Sequence, residues 1–331
     1  MRYVDLPDGK DSFAPKISVL GFGCAPLMGR VGRKDSLAAL ARAQEAGINF
    51  FDTARSYGYG ESESLVGTFL KGRRQTVILC TKFGILPGKA GWKQKVKPLA
   101  QAAIRVFPGL RKHARRQAAS TSSGGHFSVE ILRESFETSL RELQTDYVDM
   151  LIMHAATAKV LDQDDLLEAM ERLVESGKVR MAGISGDLNA IAETFRRQPK
   201  ALTTAQFAMD RSSLGFAQQT LTPGAQKLLL VANHPFGGAG GIDSVSKTIE
   251  AMGSSQILPS DLRAKLVSSD PQLMPEILLN VILQCTGVAS VLPSMVRESS
   301  LKSNVRAIED CRFTRPELEL LKEELIRSSR S

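Results

Sequence analysis

Short apolar runs rich in Val, Ile and Phe alternate along this chain with longer stretches of helical period. The runs are Ser18–Gly21, Ile48–Asp52, Val77–Thr81, Val148–Met153, Met181–Ile184, Thr204–Phe207, Leu228–Ala232 and Ala289–Leu292. Runs this short, apolar on both faces, suit parallel strands covered on either side. Between them the spacing predicts helices. Asp35–Glu45 opens with an acid and stops at Gly47, and Ser128–Leu143 carries Ile131, Leu132, Phe136, Leu140 and Leu143. Asp164–Ser176 stops at Gly177 and Glu276–Cys285 at Gly287, while Pro316–Ile326 starts on a proline and reads as an amphipathic helix on the outside. Repeated strand–helix units imply parallel strands. Eight runs suggest a closed barrel, and an open doubly wound sheet also fits the pattern.

Two stretches break the rhythm: a basic segment after Lys82, and the Gly- and Ser-rich Gly237–Ser269, which reads as irregular. Both follow a strand, on the face where a barrel of this type holds its chemistry. The chain of 331 residues, 43% hydrophobic, is expected to form a single domain over 1–331. No run reaches the roughly 18 apolar residues of a membrane span, and Asp5 and Pro7 interrupt any leader-like start. A soluble, cytoplasmic protein is expected, and nothing in the pattern fixes an oligomeric state.

Charge changes the picture only locally. Of the formal +8, nine positive charges and no acid lie in residues 83–127; without them 34 basic residues face 35 acidic ones, a net of −1. The basic character belongs to one insertion, which is poor ground for a nucleic-acid binder. That insertion reads as a lid over a substrate mouth, as an arm for an acidic partner, or as a solvated loop. Within it Pro98–Arg111 has the spacing of a short amphipathic helix. The cysteines, Cys24, Cys80, Cys285 and Cys311, are scattered with no metal spacing, and there are four histidines, so no metal site is expected.

Candidate chemistry gathers at strand ends. Asp52 closes one run and Tyr57 follows in the loop; Lys82 ends Thr76-Val-Ile-Leu-Cys-Thr-Lys82; His154 ends Tyr147-Val-Asp-Met-Leu-Ile-Met-His154. Each alone is an ordinary turn acid, solvated lysine or core histidine. Parallel strands would bring the four to one mouth.

With these residues the chain resembles the aldo-keto reductases, from about Gly21 to Asn304. Gly60-Glu-Ser-Glu63, Thr145–His154, Gly177–Ser185 and Leu292-Pro-Ser through Leu301-Lys-Ser-Asn304 match family motifs in order. The resemblance implies a (β/α)8 TIM barrel with an N-terminal hairpin, long loops after strands 3 and 7, and a C-terminal extra helix. It implies reduction of a small-molecule carbonyl with NADPH, NADH not being excluded. Tyr57 is then the general acid, its pKa lowered by Lys82, with Asp52 holding Lys82 and His154 orienting the carbonyl. Cofactor contacts carried over are Ser185 and Gln206 for the nicotinamide carboxamide, and Asn233, Pro235, Phe236 and Gly237 around the pyrophosphate. Ser294 and Arg297 fall in the adenosine-phosphate segment, and Asn304 at the adenine. Gly21-Phe-Gly23-Cys-Ala-Pro26 is not a Rossmann fingerprint, since proline replaces the third glycine. Gly186, Asp210, Asn233, Ser294 and Ser300 depart from the usual family residues. The other reading is a barrel of this family that regulates or binds, with little turnover.

Overall fold

A computed structural model describes residues 1–6, 16–88, 125–220, 228–237, 241–267 and 270–329. The predicted helix at Pro98–Arg111 and most of the basic insertion lie outside the described residues. After the antiparallel hairpin of β1 (Tyr3–Asp5) and β2 (Lys16–Ser18) come eight parallel strands in sequence order. They are β3 (Gly21–Gly23), β4 (Phe50–Asp52), β5 (Ile78–Phe83), β6 (Val148–Ala156), β7 (Val179–Gly186), β8 (Thr204–Ala208), β9 (Leu229–Asn233) and β10 (Ser290–Leu292). The first and last meet: Leu20 bridges Val291 in parallel, and the Val291 amide donates to the Val19 carbonyl at 2.9 Å. The sheet closes into a barrel, which decides against the open alternative.

Alternation along each strand sorts side chains into two cores. Phe50, Ile78, Cys80, Met150, Ile152, Met181, Leu229 and Val231 fill the barrel, with Ile17 and Leu6 of the hairpin region joining them. Their neighbours Phe51, Leu79, Leu151, Met153, Ala182, Ile184, Phe207 and Leu230 face outward against the helices.

The outer ring comprises α1 (Arg33–Glu45), α2 (Ser62–Leu70), α3 (Val129–Leu143), α4 (Asp164–Glu175), α5 (Leu188–Arg197), α6 (Leu214–Thr220), α7 (Gly241–Gly253), α8 (Ser260–Leu266), α9 (Leu273–Cys285), α10 (Glu298–Glu309) and α11 (Arg315–Arg327). The last is the expected extra helix, fixed at its start by a capping box between Thr314 and Glu317. Gly237–Ser269 is not irregular throughout, since α7 and α8 lie within it. Composition misled because Val245, Ile249 and Met252 recur at helical spacing and bury one face, which outweighs the serines and glycines between them. β6 also runs past the expected end at Met153. Its register shifts between Met153 and Ala156, and Ala155 takes a left-handed φ of 54°.

Candidate active site

At the carboxyl end of the barrel the inward set turns polar. Two residues beyond Phe50 stands Asp52; beyond Cys80, Lys82; beyond Ile152, His154; beyond Val231, Asn233. By the same alternation Ser185 and Gln206 hold the top inward positions of β7 and β8, opposite one another in register. A ring of hydrogen-bonding groups therefore caps the apolar interior.

Lys82 is its hub. The ammonium donates to Asp52 Oδ1 at 2.6 Å, to the Thr53 carbonyl at 3.0 Å and to Tyr57 Oη at 3.4 Å. Gln206 Nε2 donates to the same Asp52 oxygen at 3.1 Å. The lysine and aspartate side chains are 1% and 5% exposed, so this is a buried ion pair, with three acceptors for the three N–H bonds of the lysine. Tyr57 opens a tight turn, Tyr57–Gly60, in which Gly58 has φ 59° and any Cβ there would lie 2.5 Å from the Leu27 carbonyl oxygen. The His154 ring stands edge-on to the phenol, centroids 5.6 Å apart and planes at 86°.

Burial, then the charge of Lys82, pushes the His154 imidazole down to about 4, leaving it neutral at physiological pH. For Lys82 burial favours losing the proton, yet Asp52 and the neighbouring Tyr57 and Cys80 outweigh it and hold the ammonium above its ordinary range. Tyr57 goes the opposite way from expectation. Burial raises its pKa above the ordinary phenol value; Lys82 pulls it down and Asp52 pushes it up, with a net rise. The lowering by Lys82 is present, but desolvation is larger.

A cavity of about 300 Å³ opens over this ring, with Asp52, Tyr57, Asn233, Pro235, Phe236 and Ser294 in its wall. Lys82 and Gln206 lie buried beneath. Gly237 closes the turn after β9 with φ 68°, its amide donating to the His234 carbonyl at 2.9 Å. Arg297 is exposed just before α10, and Asn304 is buried on that helix with Nδ2 lacking a hydrogen-bond partner among the described residues. Sequence reasoning missed Gly23, Ala25 and Pro26, which line the same cavity. The stretch rejected as a Rossmann fingerprint is part of the site, and its two strand glycines followed by a proline were the available signal.

The model of the family described as "Aldo/keto reductase family" matches residues 19–325. The chain belongs to the aldo/keto reductase family. L-galactose dehydrogenase of Arabidopsis thaliana is 28% identical over 318 residues, covering 89% of this chain and 85% of that protein. The holo form of aldo-keto reductase AKR11C1 from Bacillus halodurans superposes with a TM-score of 0.65 at 25% identity, covering 98% of this chain and 96% of that one. An aldo-keto reductase from Klebsiella pneumoniae in complex with NADPH shares the fold at 22% identity, with a TM-score of 0.61 and coverage of 98% and 96%. At Gly186 a Cβ would fall 2.3 Å from the Ala156 carbonyl oxygen. The shifted end of β6 fills the room that a side chain there would need.

Proposed function

We propose that this protein reduces an aldehyde or ketone to an alcohol with a nicotinamide cofactor, with Tyr57 as the proton donor. The observation that carries the reading is a buried ammonium, Lys82, shared between Asp52 and the Tyr57 hydroxyl. NADPH, or NADH in its place, supplies the hydride when bound. As negative charge grows on the carbonyl oxygen, Tyr57 Oη gives it a proton, and Lys82 stabilises the phenolate left behind. Asp52 keeps Lys82 charged and aimed. Neutral His154, protonated on Nε2, donates a hydrogen bond to the same carbonyl oxygen and fixes its angle. In alcohol oxidation the Tyr57 phenolate serves as the base.

The residues fit such a cofactor. The buried Asn304 Nδ2, without a partner among the described residues, is a donor for which an adenine nitrogen provides an acceptor. Ser185 and the Gln206 carbonyl oxygen, left over after its Nε2 serves Asp52, suit the nicotinamide carboxamide. In the turn Asn233–Gly237, His234 and Phe236 carry the backbone N–H groups for the pyrophosphate, since Pro235 has none and that of Gly237 is spent on the His234 carbonyl. Arg297 is the cation for a 2′-phosphate, while the short Ser294 and Ser300 keep NADH admissible.

The test is NADPH oxidation by the purified protein with a panel of aldehydes and ketones. Tyr57→Phe is expected to lower kcat by about 100-fold or more while NADPH binding persists. An unchanged rate overturns the role of Tyr57, and no turnover across the panel overturns the reductase reading.

A further inference from the structure

Next to the turn that carries Tyr57 lies a second charged pair, a buried carboxylate and a partly buried guanidinium, that the mechanism above does not use. Glu63, in the first turn of α2, is 1% exposed, and its Oε1 accepts a hydrogen bond from Thr81 Oγ1 at 2.6 Å. Thr81 precedes Lys82 on β5, so the carboxylate is tied to the strand that delivers the ammonium. Its other oxygen, Oε2, sits 3.6 Å from Arg55 Nη1, too far for a hydrogen bond. Arg55 lies on the short link between Asp52 and Tyr57. Both Glu63 Oε2 and Arg55 Nε are buried without a hydrogen-bond partner among the described residues. Ser139 of α3 adds a hydroxyl beside the carboxylate.

A buried carboxylate oxygen and a buried guanidinium Nε left short of hydrogen bonds are costly, and such groups persist in native folds for a reason. Here the pair joins the two pieces of backbone whose separation sets the Lys82–Tyr57 distance. One end grips β5 next to Lys82 and the other grips the link next to Tyr57. We propose that Glu63 is a positioning residue for the proton donor, acting through Arg55 on the Tyr57 turn and through Thr81 on β5. The proposal rests on the reductase reading, and its central test does not.

That test is the 13C resonance of the Tyr57 ring carbon bearing the hydroxyl, in tyrosine-labelled protein, assigned by its loss in Tyr57→Phe. In Glu63→Gln the Tyr57 resonance is expected to shift, while those of Tyr3 and Tyr147, remote from the site, stay in place. Arg55→Met should produce the same shift, and the double variant no more than either single one. Arg55→Lys, which keeps the charge, should restore most of the original position. Where the wild type turns over, Glu63→Gln should lower kcat by 10-fold or more with the NADPH dissociation constant within twofold. An unmoved Tyr57 resonance in both single variants overturns the proposal, and so do additive shifts or an equal loss of cofactor affinity. If Glu63→Gln does not fold, Arg55→Met and Arg55→Lys decide alone. A wild type without turnover counts against the reductase reading only, because the resonance still reports the positioning.

Discussion

His154 shows how a single side chain ties the site to stability. Its imidazole titrates near 4 in the folded chain, because burial and Lys82 both oppose a second charge, and near 6.5 when unfolded. Between these values the unfolded state binds more protons, so stability rises with pH across that window. The contribution is complete above pH 6.5 and is lost as pH falls toward 4. From pH 7.5 to pH 5 the expected loss is about 2 kcal/mol, at 1.36 kcal/mol per unit. Urea unfolding at the two pH values checks it, and His154→Gln should lack that share of the slope. A variant with the same slope as the wild type would show that His154 is not the group responsible. In the proposed reaction the same neutral residue serves as a hydrogen-bond donor to the carbonyl rather than as a competing acid.

At the level of elements, the site depends on how closely α2 and α3 approach. Gly67 of α2 is the contact: a Cβ there would meet the Glu142 carbonyl oxygen at 2.3 Å and the Leu143 backbone at 2.8 Å. Two effects of Gly67→Ala oppose each other. Alanine in a helix interior is favoured over glycine by about 1 kcal/mol. Forcing two helices apart against backbone atoms costs about 1–3 kcal/mol, and backbone cannot rotate aside as a side chain can. The clash wins, and a net destabilisation of about 1 kcal/mol or more is expected in urea unfolding. Because α2 carries Glu63 at its start, the displaced helix should also lower kcat. A stabilised Gly67→Ala would mean that the helices separate freely and that α2 does not hold its end of the site rigidly.

For the whole molecule, the barrel brings together groups from β3 to α10, and a ligand that spans them should stabilise all of it at once. NADPH at 100 times its dissociation constant should add about 2.7 kcal/mol. With an unfolding entropy near 2.1 cal/mol/K per residue, a chain of 331 residues would gain about 4 °C in Tm. Thermal melts with NADPH and NADH on the same sample measure this. The larger shift at equal concentration identifies the preferred cofactor, and no shift with either contradicts the proposed binding. Among the described residues no helix is long and apolar enough to cross a membrane.

The sequence by itself determined the repeated strand–helix units and the polar residues Asp52, Lys82 and His154 at the ends of three of the strands. Both follow from local periodicity: a strand places every second side chain on one face, so Phe50 and Asp52, or Cys80 and Lys82, must share the interior. It also determined that Tyr57 leads a turn, since the glycines after it have no other economical use. Only the tertiary structure decided that the sheet closes, because the seam at Leu20 and Val291 joins residues far apart in the chain. It alone showed that Gly23, Ala25 and Pro26 face the cavity and that the Ala156 carbonyl occupies the space beside Gly186. The direction of the Tyr57 shift was likewise beyond the sequence. Neighbouring Lys82 was readable and argued for a lower pKa, but desolvation depends on every atom packed around the phenol, and it raised the value instead.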